Sequence, residues 1–199
     1  MSVDPTVKRL PRAVREQQML DAAVRVFSRL GYHAASMDEI AETAGISKPM
    51  VYAYLGTKEE LFIACLHREG ARLTEAVFAV LSDDMPPEQQ LRRAIEEFLQ
   101  FVVNHRDGWS VLHRQARGQE PFAGEIAEIR RSWIGHLTTV LARITPDVPD
   151  VTPGAYALAG AVESLADWIV EFPDRHVGRD PDLTAARLTD LILNGLPRQ

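Results

Sequence analysis

The sequence predicts an all-α chain of about nine helices, with a three-helix N-terminal head joined by a long fourth helix to a larger C-terminal helical body. Three observations predict it. Apolar residues recur at three- and four-residue spacing between breakers, the stripe that buries one side of a helix. No segment sustains the apolar and polar alternation of a half-buried strand. Clusters of proline, glycine and aspartate near residues 82–87, 118–121, 146–153 and 176–180 cut the chain into helix-sized pieces.

Each element has its own signals. The first helix follows Pro11 and carries Ala13, Met19, Leu20, Ala23, Val26, Phe27 and Leu30 until Gly31. Ser36, with Glu39 three residues on, reads as a capping box for the second, which ends at Ala44 and Gly45. Ser47 caps a third helix with Pro49 in its first turn, where a missing N–H costs nothing. Thr57 and Glu60 repeat the capping box and open a fourth over residues 58–81, apolar at Leu61, Phe62, Cys65, Leu66, Leu73, Val77 and Leu81. A fifth spans residues 88–105. Asp107 and Gly108 then read as punctuation before a short amphipathic piece through Trp109, Leu112 and Ala116. A seventh covers residues 122–144, an eighth starts at Thr152 and Pro153, and a ninth runs from Pro181 to near Gly195. The expected division is a head over residues 1–57 and a body over residues 58–199.

Composition narrows the function. The chain has 199 residues and one cysteine, Cys65, so no disulfide framework is possible and a reducing cytoplasm is the expected setting. No apolar run reaches the length of a membrane span, and residues 1–10 lack a signal-peptide core. The net charge of −6 argues at first against a nucleic-acid partner. Its distribution points the other way. Lys8, Arg9, Arg12 and Arg15 face only Asp4 within residues 1–15, a basic arm ahead of an acidic body.

Residues 36–61 carry the strongest signal. Two short helices joined by a tight glycine-containing turn form a helix-turn-helix, whose second helix lies in a DNA major groove with its first residues at base edges. Phe27 and Gly31, Ile40-Ala41, Ala44-Gly45, Tyr52, Tyr54 and Lys58-Glu59-Glu60-Leu61 together resemble the head of the TetR family of transcriptional regulators. One departure is Leu55, where that family usually has phenylalanine. The resemblance implies a ligand-responsive repressor that binds a palindromic operator in double-stranded DNA as a homodimer, with no cofactor.

Site residues follow. Ser47, Lys48, Pro49 and Met50 start the recognition helix; Lys48 suits the two acceptors of guanine, and Pro49 and Met50 a thymine methyl. The resemblance implies phosphate contacts at Tyr52, Tyr54 and Lys58, with the capping residues Ser36 and Thr57 similarly placed at helix N-termini. It also implies a small-molecule pocket among the middle helices. Candidates there are Phe98, Phe101, Val102, His105, Trp109, Leu112, His113, Arg117, Trp133, His136, Leu137, Glu163, Asp167 and Trp168, a mixture suiting a largely apolar effector with one hydrogen-bonding end. Small residues at Ala157, Gly160, Ala161 and Ser164, with Leu188, Leu191, Ile192 and Leu196, form the dimer surface that the resemblance implies for the last two helices.

An enzyme finds little support. No two of the six histidines stand three or four residues apart, so no helix presents a metal-ligand pair, and Cys65 has no cysteine partner. Gly108-Trp109-Ser110 begins like a nucleophile elbow but lacks its final glycine and its strand. The alternative reading is a protein-interaction module that keeps this fold without binding an operator.

Overall fold

Prolines, glycines and caps set the helix ends in the computed structural model, which describes residues 11–82, 84–115, 121–171 and 180–195. In chain order the α-helices are α1 Arg12–Ala34, α2 Met37–Ala44, α3 Lys48–Leu55, α4 Lys58–Ala79, α5 Pro87–Asn104, α6 Arg106–Trp109, α7 Ala123–Ile144, α8 Thr152–Glu171 and α9 Pro181–Asn194. A π-helical segment, Ser110–Gln115, continues α6. No strand occurs among the described residues.

Two of the expected caps form differently. Ser36 accepts the Glu39 N–H at 3.2 Å, but the Glu39 carboxylate turns to Arg29, so only half of that box exists. Ser47 makes no side-chain capping bond, which leaves its hydroxyl outside α3. The Thr57 box is complete: Glu60 N–H reaches Thr57 Oγ1 at 3.2 Å, and Thr57 N–H reaches Glu60 Oε2 at 2.7 Å. Gly45 closes α2 at φ 67°, with Ile46 N–H on the Ala41 carbonyl and Gly45 N–H on that of Glu42, each at 3.0 Å. α4 ends at Ala79, two residues before the expected limit of 81.

The main correction concerns Asp107 and Gly108, which do not break the chain. Gly108 is buried inside α6 because that helix packs directly on Glu69 of α4. A Cβ at Gly108 would lie 2.4 Å from Glu69 Oε2. That carboxylate cannot swing aside. Glu69 is only 1% exposed and is held by Arg68 at 2.6 Å and Arg72 at 3.3 Å. Arg68 continues to Asp21 at 2.8 Å, and Ser28 donates to Asp107 at 2.9 Å, so α6 is fastened to both α1 and α4.

Apolar packing forms two main cores. The head core gathers Phe27, Ile40, Val51, Leu61, Phe62 and Leu66 from α1 to α4, and adds Val111, Leu112 and Phe122 from beyond α6. Phe122 sits 4.6 Å from the Tyr32 ring and 4.5 Å from that of Phe62, while Phe27 meets Phe62 edge-on at 4.9 Å. Each fully buried phenylalanine contributes roughly 1.5–3 kcal/mol. The body core joins α5, α7, α8 and α9 through Leu91, Ile95, Leu99, Ile134, Leu158, Val162 and Leu188. Two glycines test this arrangement. Gly108→Ala should cost about 1–3 kcal/mol by overpacking. Gly135→Ala, at an α7 position with nothing within 4 Å, should gain up to about 1 kcal/mol. Urea unfolding of both variants checks the pair.

Candidate nucleic-acid interface and ligand cavity

The recognition helix is α3, held to the head by fully buried Val51. Its outer surface presents Ser47, Lys48, Pro49 and Tyr52, with Met50 half-buried beside them. Tyr52 is 46% exposed. Tyr54 is turned inward and half-buried, with the Arg12 guanidinium 5.1 Å from its ring centroid, so the two tyrosines occupy different faces. Lys8 and Arg9 of the basic arm lie outside the described residues. Lys48 pairs across the turn with Asp38 at 2.8 Å; that hydrogen bond and the Asp38 charge raise its pKa above the ordinary value.

Lys58 is a correction. Its ammonium is directed back at the end of α1, reaching the carbonyls of Tyr32 at 2.9 Å, Ala35 at 3.1 Å and His33 at 3.4 Å. It also lies 4.6 Å from the Tyr32 ring centroid. An ammonium has three donors, and all three are engaged, so none is left for a phosphate. Lys58 instead ties the exit of α1, where Gly31 interrupts the helix at φ 75°, to the start of α4.

The body encloses a cavity of about 120 Å³. Seven of the expected residues line it: Phe98, Trp109, Leu112, His113, Trp133, Leu137 and Glu163. The wall also includes Leu73, Ala94, Ile95, Ile126, Ile129, Arg130, Ala159 and Val162, which sequence reasoning missed. A signal existed on α7, where Ile126, Ile129, Arg130, Trp133 and Leu137 recur at helical spacing on one face. Six expected residues lie elsewhere. Phe101 and Val102 belong to packed core one turn beyond Phe98, and His105, just past the end of α5, stacks on Phe101 at 4.1 Å. His136 is exposed and lines a second cavity described below. Asp167 stands behind the wall and orders it, accepting from Trp109 Nε1 at 2.9 Å and holding His113 Nδ1 at 3.0 Å. Trp168 is exposed and shares a shallow depression with Ala161, Ser164, Leu188 and Leu191. Arg117 lies outside the described residues.

One corner of the cavity is polar. Arg130 donates to Glu163 at 2.8 Å, and His113 stacks on Trp109 at 4.6 Å with its Nε2 3.9 Å from Glu163. Burial pushes the Glu163 carboxyl upward, but His113 and Arg130 outweigh it and hold it below its ordinary value. Leu112 connects the two sites, since it lines the cavity and is also buried in the head core. Burial pushes the Cys65 thiol up to about 12, so it is no nucleophile near neutral pH. No described helix is long and apolar enough to cross a membrane.

On the dimer candidates the geometry is mixed. Ala157, Ser164, Leu191 and Ile192 are exposed, and Gly160 and Ala161 are half-buried. Leu188 is 8% exposed and belongs to the chain's own body core, while Leu196 lies outside the described residues.

Comparison with known proteins agrees with this architecture. Residues 19–65 match the family model for bacterial regulatory proteins of the tetR family, and residues 87–195 that for the tetracyclin repressor-like C-terminal domain. The chain belongs to the TetR family. A TetR-like transcriptional regulator from Rhodococcus sp. RHA1 is 47% identical, with a TM-score of 0.83 over 94% of this chain and 98% of that one. The HTH-type transcriptional activator FasR of Mycolicibacterium smegmatis is 41% identical over 113 residues. That match covers 57% of this chain and 52% of FasR, so it spans about half the length of that relative. The fatty acid degradation regulator FadR from Bacillus halodurans, at 19% identity and a TM-score of 0.79 over 96% of this chain and all of its own, shares the fold. This TetR-family chain is a DNA-binding transcriptional regulator.

The two lysines should separate in stability measurements. Lys58→Met strips three backbone carbonyls of their donor and should cost about 1–3 kcal/mol. Lys48→Ala should leave the urea midpoint unchanged. Equal midpoints for both variants would remove the internal role assigned to Lys58.

Proposed function

We propose that this regulator is a cytoplasmic repressor and no enzyme, binding a palindromic operator as a homodimer until a small, largely apolar effector enters its body. The exposed face of α3, with Ser47, Lys48, Pro49 and Tyr52 turned away from the head core, carries this reading. Lys48 exchanges Asp38 for a guanine edge, and Tyr52 with the Ser47 hydroxyl meets phosphate. The two recognition helices of a dimer must stand about 34–36 Å apart to enter successive major grooves. The surface supporting dimerisation is the apolar surface left on α8 and α9, where Trp168 shares a depression with Leu188 and Leu191, and Ile192 is exposed as well. Trp168 accordingly serves the dimer surface and not the effector pocket.

Leu112 supplies the physical route from effector to DNA. A ligand filling the cavity presses on a residue whose other side is head core, and a packed core transmits displacement instead of absorbing it. The effector then favours a head spacing that fits the operator less well, and affinity falls by population shift. The name of FasR, an activator, favours a second reading in which the same DNA contact promotes transcription. A promoter-reporter assay with and without the protein separates the two signs.

Two measurements test this reading. In fluorescence anisotropy on DNA flanking the gene, wild type should bind selectively with a steep salt dependence, and Tyr52→Ala should lose roughly tenfold or more of that affinity. Lys48→Ala should relax preference at one base pair, a loss of about 1–3 kcal/mol of discrimination. Binding equal on random DNA and unchanged by Tyr52→Ala would return the interaction-module reading. In sedimentation, Leu191→Asp should convert the dimer to monomer; a dimer that persists would move the interface off α9.

A further inference from the structure

We propose that the effector is a single linear chain with an anionic end, lying along α7 in a channel that Trp133 divides, with its tail toward Leu112 and its charge at Arg143. This rests on the effector reading above and specifies its ligand. The inner cavity alone is too small for that role: about 120 Å³ is less than the roughly 150 Å³ that holds one benzene. A second cavity of about 300 Å³ lies between α4, α5 and α7, and Ala94, Trp133 and Leu137 line both. Joined, the two enter the range of about 300–1,000 Å³ typical of ligand sites.

Three helices agree on how the cavities are stacked. Along α7 the lining runs from Ile126 to Leu137 in the inner cavity and from Trp133 to Arg143 in the outer one, so the two overlap at Trp133 and Leu137. On α4, Leu73 faces the inner cavity, and Val77 and Phe78 the outer. On α5, which returns the other way, Leu91 is outer, Ala94 is shared and Phe98 is inner. Ile126 to Arg143 spans about 25 Å of helix. A few hundred Å³ drawn out over that length is the proportion of a thread, which suits a polymethylene chain and excludes a fused ring system. Trp133 is the partition, and its ring contacts are long: its centroid lies 5.9 Å from Phe78 and 6.2 Å from Phe98.

Charge sets the direction. At the inner end Arg130 is already engaged by Glu163 and lies 5.8 Å from the Tyr156 ring centroid, and Asp167 stands just behind. An anion placed there would meet two carboxylates. Among the described residues lining the outer cavity there is no carboxylate. Arg143 gives one Nη1 bond to Gln90 at 3.1 Å, leaving donors over, and His136 holds Nδ1 on the Ser132 carbonyl, which directs Nε2 away. A carboxylate or the phosphates of a carrier thioester share this anionic chemistry.

The test is calorimetric titration of the full-length protein with decanoate, dodecanoate, tetradecanoate, 1-dodecanol, dodecanoyl-coenzyme A and 2-naphthoate, alongside anisotropy on operator DNA. Affinity should rise about tenfold for every two methylenes, and naphthoate should bind at least a hundredfold more weakly than dodecanoate. Arg143→Gln should weaken dodecanoate about five- to tenfold and leave 1-dodecanol unchanged. Ala94→Leu, narrowing the shared wall, should weaken every chain; if it fails to fold, Trp133→Ala should instead speed chain entry. Tighter binding of the thioester identifies a carrier-bound acyl group, and tighter binding of dodecanoate a free acid; either supports the channel. Affinity independent of chain length, naphthoate equal to dodecanoate, or Arg143→Gln with no effect would overturn it. If naphthoate releases DNA while the chains do nothing, the channel falls and the effector reading stands. If the chains bind as described and leave DNA bound, the channel stands and the effector reading falls.

Discussion

Phe122 packs between Tyr32 and Phe62 with ring centroids 4.6 and 4.5 Å away, so a side chain at the entrance to α7 completes the core built by α1 to α4. A small head encloses little apolar surface of its own, and this one draws Val111, Leu112 and Phe122 from the body side. The consequence is mechanical. Interiors packed at crystal density do not compress, so the DNA-reading unit cannot shift without α7 and the π-helical segment shifting too. Those are the same elements that line the cavity through Ile126, Ile129 and Leu112.

A buried ion cluster fixes the other side of that junction. Glu69 is almost wholly enclosed, and an isolated carboxylate there would be costly, yet Arg68 and Arg72 surround it and Arg68 extends to Asp21 of α1. Gly108 lets α6 rest directly on this carboxylate. The hydrogen bond of Ser28 to Asp107 adds a second fastening to α1. α6 runs on into a π-helical segment, a geometry frequently found at functional sites. In this chain the segment sits where cavity wall and head core meet.

Charge is divided by role. The Lys58 ammonium holds the turn after α1 against α4. Lys48 pairs with Asp38 on the exposed face of α3. The acidic excess lies in residues 58–199, with 15 basic and 22 acidic side chains, whereas residues 1–57 are close to neutral with 7 basic and 6 acidic.

The sequence by itself determined the helical class, the order of the elements and the helix-turn-helix, because caps, glycine exits and apolar spacing are local signals acting over four or five residues. Thr57 with Glu60, and Gly45 at positive φ, sit as their spacing demands. What lay beyond local reading was decided by packing. Gly108 looked like a breaker because its neighbour Glu69 is 39 positions away in the chain. Lys58 looked like a phosphate ligand because the carbonyls it binds belong to the end of another helix. On α5, Phe98 faces the cavity whereas Phe101 and Val102, one turn further along nearly the same side, pack into core, a difference of position along the helix that residue spacing does not reveal. Which face of an amphipathic helix meets a cavity, a core or a partner depends on where the other helices stand, and that is a property of the tertiary structure alone.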